Sequence, residues 1–142
     1  MEQGIAKSVE LKVPVNEDYV SVVRLLISGL GNRLGLGISE LENLKLVVAE
    51  AFLTIISKCE SIQGLIHIAW KEDAKHISVS ISDPSGKHKS VTNAASLVLV
   101  EQLGGEYNTN VIDGVEHLDI GFDIKHIDGR PVIFRDGDKG QA

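Results

Sequence analysis

Two neighbouring segments of this chain alternate so regularly that they constrain the architecture of the whole. Ile66, Ile68 and Trp70 interleave with Leu65, His67 and Ala69, and then Ile77, Val79 and Ile81 interleave with Ser78, Ser80 and Ser82. Successive side chains of a strand point to opposite faces, so each segment reads as a β-strand with one apolar face. Lys71-Glu72-Asp73-Ala74 joins them as a hairpin. An apolar sheet face must be covered by a second layer, and the flanking sequence supplies candidates.

An earlier strand reads from Val9, Leu11 and Val13 alternating with Ser8, Glu10 and Lys12, and Pro14 limits pairing beyond it. Asn16 or Asp18 can cap a helix whose apolar positions are Tyr19, Val22, Val23, Leu26, Ile27 and Leu30, stopped by Gly35 and Gly37. Ser39-Glu40-Leu41-Glu42 reads as a capping box with Glu42 at the third helical position. The helix it opens carries Leu41, Leu44, Val48, Ala51 and Ile55 at three- and four-residue steps and runs to about Cys59. A third helix is predicted from about Val91 to Leu103, closed by Gly104-Gly105. Asp113-Gly114 marks a second hairpin, with Leu118, Ile120 and Phe122 alternating on its second strand. The segment from Asp136 to Ala142 is nearly free of apolar residues and is expected to fray. The order strand, helix, helix, hairpin, helix, hairpin predicts one α+β domain over 1–142. Its expected form is a two-layer sandwich, a mixed and mostly antiparallel sheet with helices on one face.

Composition excludes several functional classes. At 43% apolar residues the chain has the content of a globular core, and a net charge of −6 is the wrong sign for a general nucleic-acid binder. The single cysteine, Cys59, cannot close an intrachain disulfide and reads as a half-buried structural thiol. No signal peptide and no apolar run of membrane-spanning length is visible, so a cytoplasmic protein without membrane contact is expected. His67, His76, His88, His117 and His126 show no metal-ligand spacing, and no metal site is assigned.

Three motifs remain as candidates for chemistry. Glu50-Ala51-Phe52-Leu53-Thr54 sits on the second helix, where Glu50 reads as a positioned base or as a carboxylate on a solvated face. Ser82-Asp83-Pro84-Ser85-Gly86 reads as a ligand-facing loop or as a turn ending a strand, for which Asp, Pro, Ser and Gly are the expected types. Lys87-His88-Lys89-Ser90 is a small basic cluster that could hold a phosphate or an acidic partner, or be solvated loop charge.

In order and spacing, the first two motifs resemble the N box and first glycine box of the histidine-kinase/Hsp90-like (GHKL) ATPase fold. The resemblance narrows to the anti-sigma-factor serine kinases of the RsbW and SpoIIAB kind. It is carried by Val13-Pro14, Asp18-Tyr19-Val20, Val23-Arg24-Leu25, Ser28-Gly29, Arg33-Leu34-Gly35, Leu44-Lys45, Val48-Ala49-Glu50-Ala51 and Leu97-Val98-Leu99-Val100-Glu101-Gln102-Leu103, from about Ser8 to Ile124. The resemblance implies that Glu50 matches the general base and that Asp83 matches the acceptor of the adenine amino group. It also implies an asparagine that ligates Mg²⁺ at Thr54, where the shorter hydroxyl would need a bridging water. Of the glycine-box residues, Gly86 is kept but displaced, while Ala94 and Ser96 occupy expected glycine positions. Ten residues, Pro84 to Asn93, separate Asp83 from Ala94, too few for the lid of that family. The nucleotide site therefore reads as vestigial, with no cofactor expected and Mg-ATP only if the chain is an active serine kinase. Arg24 matches an arginine that contacts the sigma factor, and its bland alternative is a surface arginine covering apolar neighbours. The resemblance implies a homodimer that binds a sigma factor or an anti-sigma-factor antagonist. A third reading is a dimer sensing a small anion through Lys87 to Ser90.

Overall fold

The computed structural model describes residues 7–85 and 97–133. Strand β1 (Lys7–Pro14) leads through a 3-10 turn (Glu17–Tyr19) into helix α1 (Val20–Leu34), followed by α2 (Ile38–Lys58). The hairpin β2 (Leu65–Glu72) and β3 (His76–Ser82) comes next, then α3 (Val98–Gln102), β4 (Glu106–Ile112), β5 (Val115–Ile127) and β6 (Arg130–Ile133). The strands run in the order β1-β2-β3-β5-β4, with β6 paired to β5. Every described pairing is antiparallel, so the mixed sheet expected from the sequence is uniformly antiparallel over these residues. The architecture is the α+β sandwich that the alternation demanded. Ile66, Ile68 and Trp70, then Ile77, Val79 and Ile81, then Leu118, Ile120 and Phe122 share the covered face and are buried.

Helix α2 is the middle layer of that cover. Leu44, Val47, Val48, Ala51, Phe52 and Ile55 are all at most 1% exposed. Full burial of each large apolar side chain contributes about 1.5–3 kcal/mol, which favours this helix over its exposed alternatives. Helix α1 packs antiparallel against α2 through Val23, Ile27 and Gly31. A β-carbon at Gly31 would run into Leu41, so glycine there permits the close approach. Gly35 ends α1 in the left-handed region at φ 85°, as a glycine stop should.

One local expectation needs correction. Ser39 does not cap α2: Gly37 does, with extended backbone, and its carbonyl accepts from the Leu41 amide at 2.9 Å. The turn forced by Gly35 brings the chain into helix at Ile38, so Ser39 lies within the first turn. Glu40 takes the third position, over Gly37, while Glu42 reaches forward to Lys45 at 3.1 Å. At the N-terminal turn before α1, by contrast, Asn16 accepts from the Asp18 amide at 2.8 Å. The third helix is described only over Val98–Gln102, because 91–96 lie outside the described residues, as does the segment from Asp136 to Ala142. The sequence reading also missed β6. Asp128-Gly129 turns β5 into it with both residues at positive φ, the same device that Asp113-Gly114 uses between β4 and β5.

A buried carboxylate fastens α1 to the sheet. Glu72, 5% exposed at the end of β2, accepts from the Trp70 indole N–H at 2.8 Å and pairs through the same oxygen with Arg33 near the end of α1. Arg33 is itself 45% exposed, so removing it leaves Glu72 only partly uncompensated. Arg33→Ala is therefore expected to cost on the order of 1 kcal/mol in urea unfolding followed by Trp70 fluorescence, and Glu72→Gln, which keeps an acceptor for the indole, to cost less. Equal costs for the two variants would show that the pairing does not fasten the helix.

Candidate functional site

The residues singled out from the sequence fall into three places. Glu50 and Thr54 lie one turn apart on α2, with Thr54 about 6 Å further along the axis. Thr54 is 8% exposed and its hydroxyl donates to the Glu50 carbonyl at 2.8 Å, the back-bond typical of threonine inside a helix. The Thr54 carbonyl in turn accepts from the Ser57 hydroxyl at 2.7 Å. Glu50 itself is half-buried.

Asp83 follows the last residue of β3 and is 2% exposed. Its Oδ1 accepts from the Ser85 amide at 3.1 Å and the Ser85 hydroxyl at 2.7 Å, which closes an aspartate turn as the strand ends. Its Oδ2 faces the Cys59 thiol at 3.7 Å, at the C-terminal end of α2, roughly 7 Å beyond Thr54 along the helix. The Cys59 thiol also reaches the Ile55 carbonyl at 3.4 Å. Burial, and after it the charge and hydrogen bond of Asp83, push this thiol from an ordinary 9.0 up to about 11. Cys59 is thus a neutral thiol at physiological pH, poorly suited to nucleophilic or metal chemistry. The contact between Cys59 and Asp83 was not legible in the sequence, because it depends on where β3 ends relative to α2. Gly86, the cluster Lys87 to Ser90, Ala94 and Ser96 lie outside the described residues.

Arg24 is in the third place. It is exposed on the outer side of α1 and borders a shallow depression with Ser21, Leu25 and Ser28 of α1 and Lys45 of α2. Leu25, in the depression, exposes 71% of its surface, and Val22 of α1 and Leu46 of α2 expose 38% and 41%; Arg24 lies in the depression beside Lys45, which pairs with Glu42 at 3.1 Å. Arg24 shares no described cavity with Glu50, Thr54 or Asp83. Among the described residues, no group of three or more His, Cys, Asp or Glu side chains could hold a metal ion. None of the described helices is long and apolar enough to cross a membrane.

No family model matches the chain. It is 35% identical over 77 residues to the serine-protein kinase RsbW of Oceanobacillus iheyensis, covering 53% of this chain and 49% of that protein. It is 29% identical over 73 residues to RsbW of Bacillus thuringiensis and of Bacillus mycoides, covering 51% of this chain and 39% of each relative. The chain thus spans about half the length, or less, of these curated relatives, and over that part it is RsbW-like. Among solved structures, the histidine kinase domain of the blue-light activated histidine kinase of Erythrobacter litoralis EL346 aligns with 76% of this chain and 60% of its own. The TM-score of that alignment is 0.46, at 13% identity.

The Cys59 environment yields a direct test. Native Cys59 is expected to react with iodoacetamide at about pH 8 at least tenfold more slowly than a free cysteine, because only the thiolate attacks. Asp83→Asn removes the charge and leaves burial and an acceptor for the thiol, so it should speed the reaction only severalfold. Alkylation at the free-thiol rate in the unsubstituted chain would place Cys59 away from Asp83.

Proposed function

We propose that this chain is a regulatory domain of the RsbW kind that acts by binding another protein, with nucleotide binding lost or much weakened. The partner class that fits best is a bacterial sigma factor or an anti-sigma-factor antagonist, met in the cytoplasm, and the working form is a homodimer. The observation that carries the reading is the state of the two nucleotide determinants on an RsbW-like chain. Asp83, which would receive an adenine, accepts instead from Ser85 at both its amide and its hydroxyl and faces Cys59. Thr54, which would serve a magnesium ion, directs its hydroxyl hydrogen to its own helix. A chain that retains the scaffold while its nucleotide groups bond internally has its remaining use in its surface. Arg24 and the exposed apolar residues beside it offer that surface: an arginine fork pairs with carboxylates while its stem packs on apolar groups.

An active serine kinase is the second reading, favoured by one feature: Glu50 stands at the position of the general base and is only half-buried. Titration with Mg-ATP separates the two. We expect no binding tighter than about millimolar, since loss of several phosphate or metal contacts removes on the order of 1–3 kcal/mol each. Thr54→Asn alone should not restore binding. A micromolar dissociation constant for the unsubstituted chain would favour the kinase.

The binding reading has its own test. The chain would be used to capture partners from a lysate of its source bacterium, and the captured sigma factor or antagonist purified and titrated. Arg24→Glu is expected to weaken that binding by at least about 2 kcal/mol with the melting temperature nearly unchanged. Unaltered affinity would move the contact surface elsewhere, and an unfolded variant would make Arg24 structural.

A further inference from the structure

The sheet has a second face, turned away from the helices, on which no described element packs. The strand registers arrange it in rows. Lys12 of β1 pairs with His67 of β2, His67 with Ser82 of β3, and Ser82 with His117 of β5. These four consecutive positions all carry side chains that can donate a hydrogen bond, and all four line one trough of about 550 Å³. The trough is shallow-floored because the next rows place Ala69, Ser78 and Ser80 at its centre.

Two observations set this row apart from an ordinary polar surface. Among the described residues, no hydrogen bond or ion pair occupies the side chains of Lys12, His67, Ser82 or His117. Ser82 is also 5% exposed, so its hydroxyl is nearly buried and faces the trough without a protein partner. Polar groups buried to that degree are normally satisfied. Burial lowers the His67 pKa first and the Lys12 charge second; the Glu10 and Asp83 charges act the other way, and His117 adds a smaller influence in the same direction as Lys12. Carboxylates are present but displaced. Asp119, one row away, is engaged by Asn110 at 2.6 Å, and Glu10 stands on the exposed β1 edge.

Strands lie about 4.8 Å apart, so the two imidazoles are rooted roughly 10 Å from each other with Ser82 midway between them. A group seated over Ser82 is within reach of both rings and of the Lys12 ammonium. We propose that the open face of the sheet holds a small tetrahedral oxyanion, a phosphate-type group, bound by Lys12, His67, Ser82 and His117. The site lies on the opposite side of the sheet from Asp83 and α2 and does not depend on the reading of the nucleotide motifs.

Sulfate is the first probe, because its charge is constant over the range in which histidine titrates. The imidazole resonances of the full chain would be followed by NMR during sulfate titration, with ionic strength held by chloride. His67 and His117 are expected to shift together and saturably, with one dissociation constant of about millimolar. Binding should strengthen as the pH falls and His67, whose pKa is lowered, gains charge. The charged groups lining the trough with them are Lys12 and Glu10 from β1, Lys71 from β2 and Asp119 from β5, while Asp83 acts on His67 only by its charge, through the sheet; of these only the carboxylates oppose the anion. Ser82→Ala and His117→Gln should each weaken binding about fivefold or more, while Lys71→Gln, at the far row of the trough, should change it little. Parallel titrations with inorganic phosphate and glycerol phosphate distinguish the source: tighter binding of the ester points to a phosphorylated metabolite, and equal or weaker binding to the free ion. Shifts that fail to saturate, that chloride reproduces, or that survive both Ser82→Ala and His117→Gln would overturn the proposal.

Discussion

Helix α2 is apolar on two sides, and each side has its own partner. Toward the sheet it presents Phe52, Ile55 and their neighbours to the rows headed by Ile66, Ile77 and Leu118; toward α1 it meets Val23, Ile27 and Gly31. A helix enclosed in this way cannot rotate or slide without exposing large side chains on one side or the other. Its rotation therefore fixes the setting of every residue it carries. Thr54 falls on the enclosed part and so satisfies its hydroxyl within the helix, whereas Glu50, four residues earlier, is left half-exposed. The difference between these neighbours, which matters so much for nucleotide chemistry, is a consequence of packing.

Two buried carboxylates tie the helix layer to the sheet at its opposite ends. Glu72 closes β2 and joins Arg33 of α1 to Trp70, while Asp83 leaves β3 and meets Cys59 at the end of α2. Because β2 and β3 are antiparallel, one clip lies at each end of the hairpin. A buried carboxylate is tolerated only with donors around it, and both have them. In Asp83 the same economy bears on function: a side chain whose oxygens already accept from Ser85 and face Cys59 has less to offer a base.

The two faces of the sheet follow different rules. The covered face is specified by volume and apolarity, and its residues were readable from alternation alone. The open face obeys no such constraint, which is why small and polar residues fill it. Its meaning lies in which residues become neighbours across strands. Lys12, His67, Ser82 and His117 are scattered over more than a hundred positions of sequence and were unremarkable there; the histidines in particular showed no ligand spacing. Registers between β1, β2, β3 and β5 bring them into one row.

Local chemistry carried much of the fold. Period-two alternation located β2, β3 and β5, period 3.6 located α1 and α2, and glycine with aspartate located the hairpin at Asp113-Gly114. The order of Glu50, Thr54 and Asp83 along the chain was enough to raise the GHKL resemblance, and short motifs from about Ser8 to Ile124 narrowed it to RsbW, because both are properties of order and spacing. Where sequence reasoning failed, it lacked a distance. Ser39 looked like a helix cap because its neighbours fit the pattern, but the backbone turn at Gly35 set the start of α2. β6 was missed because its Asp128-Gly129 turn follows a strand of thirteen residues whose end no periodicity marks. The partners of Asp83 and Glu72, and the row across the open face, arise from segments brought together by burial of the common core. Hydrophobic burial is nondirectional, so the sequence can state which side chains will be inside. Only the packed structure decides which polar groups are left facing one another when they arrive.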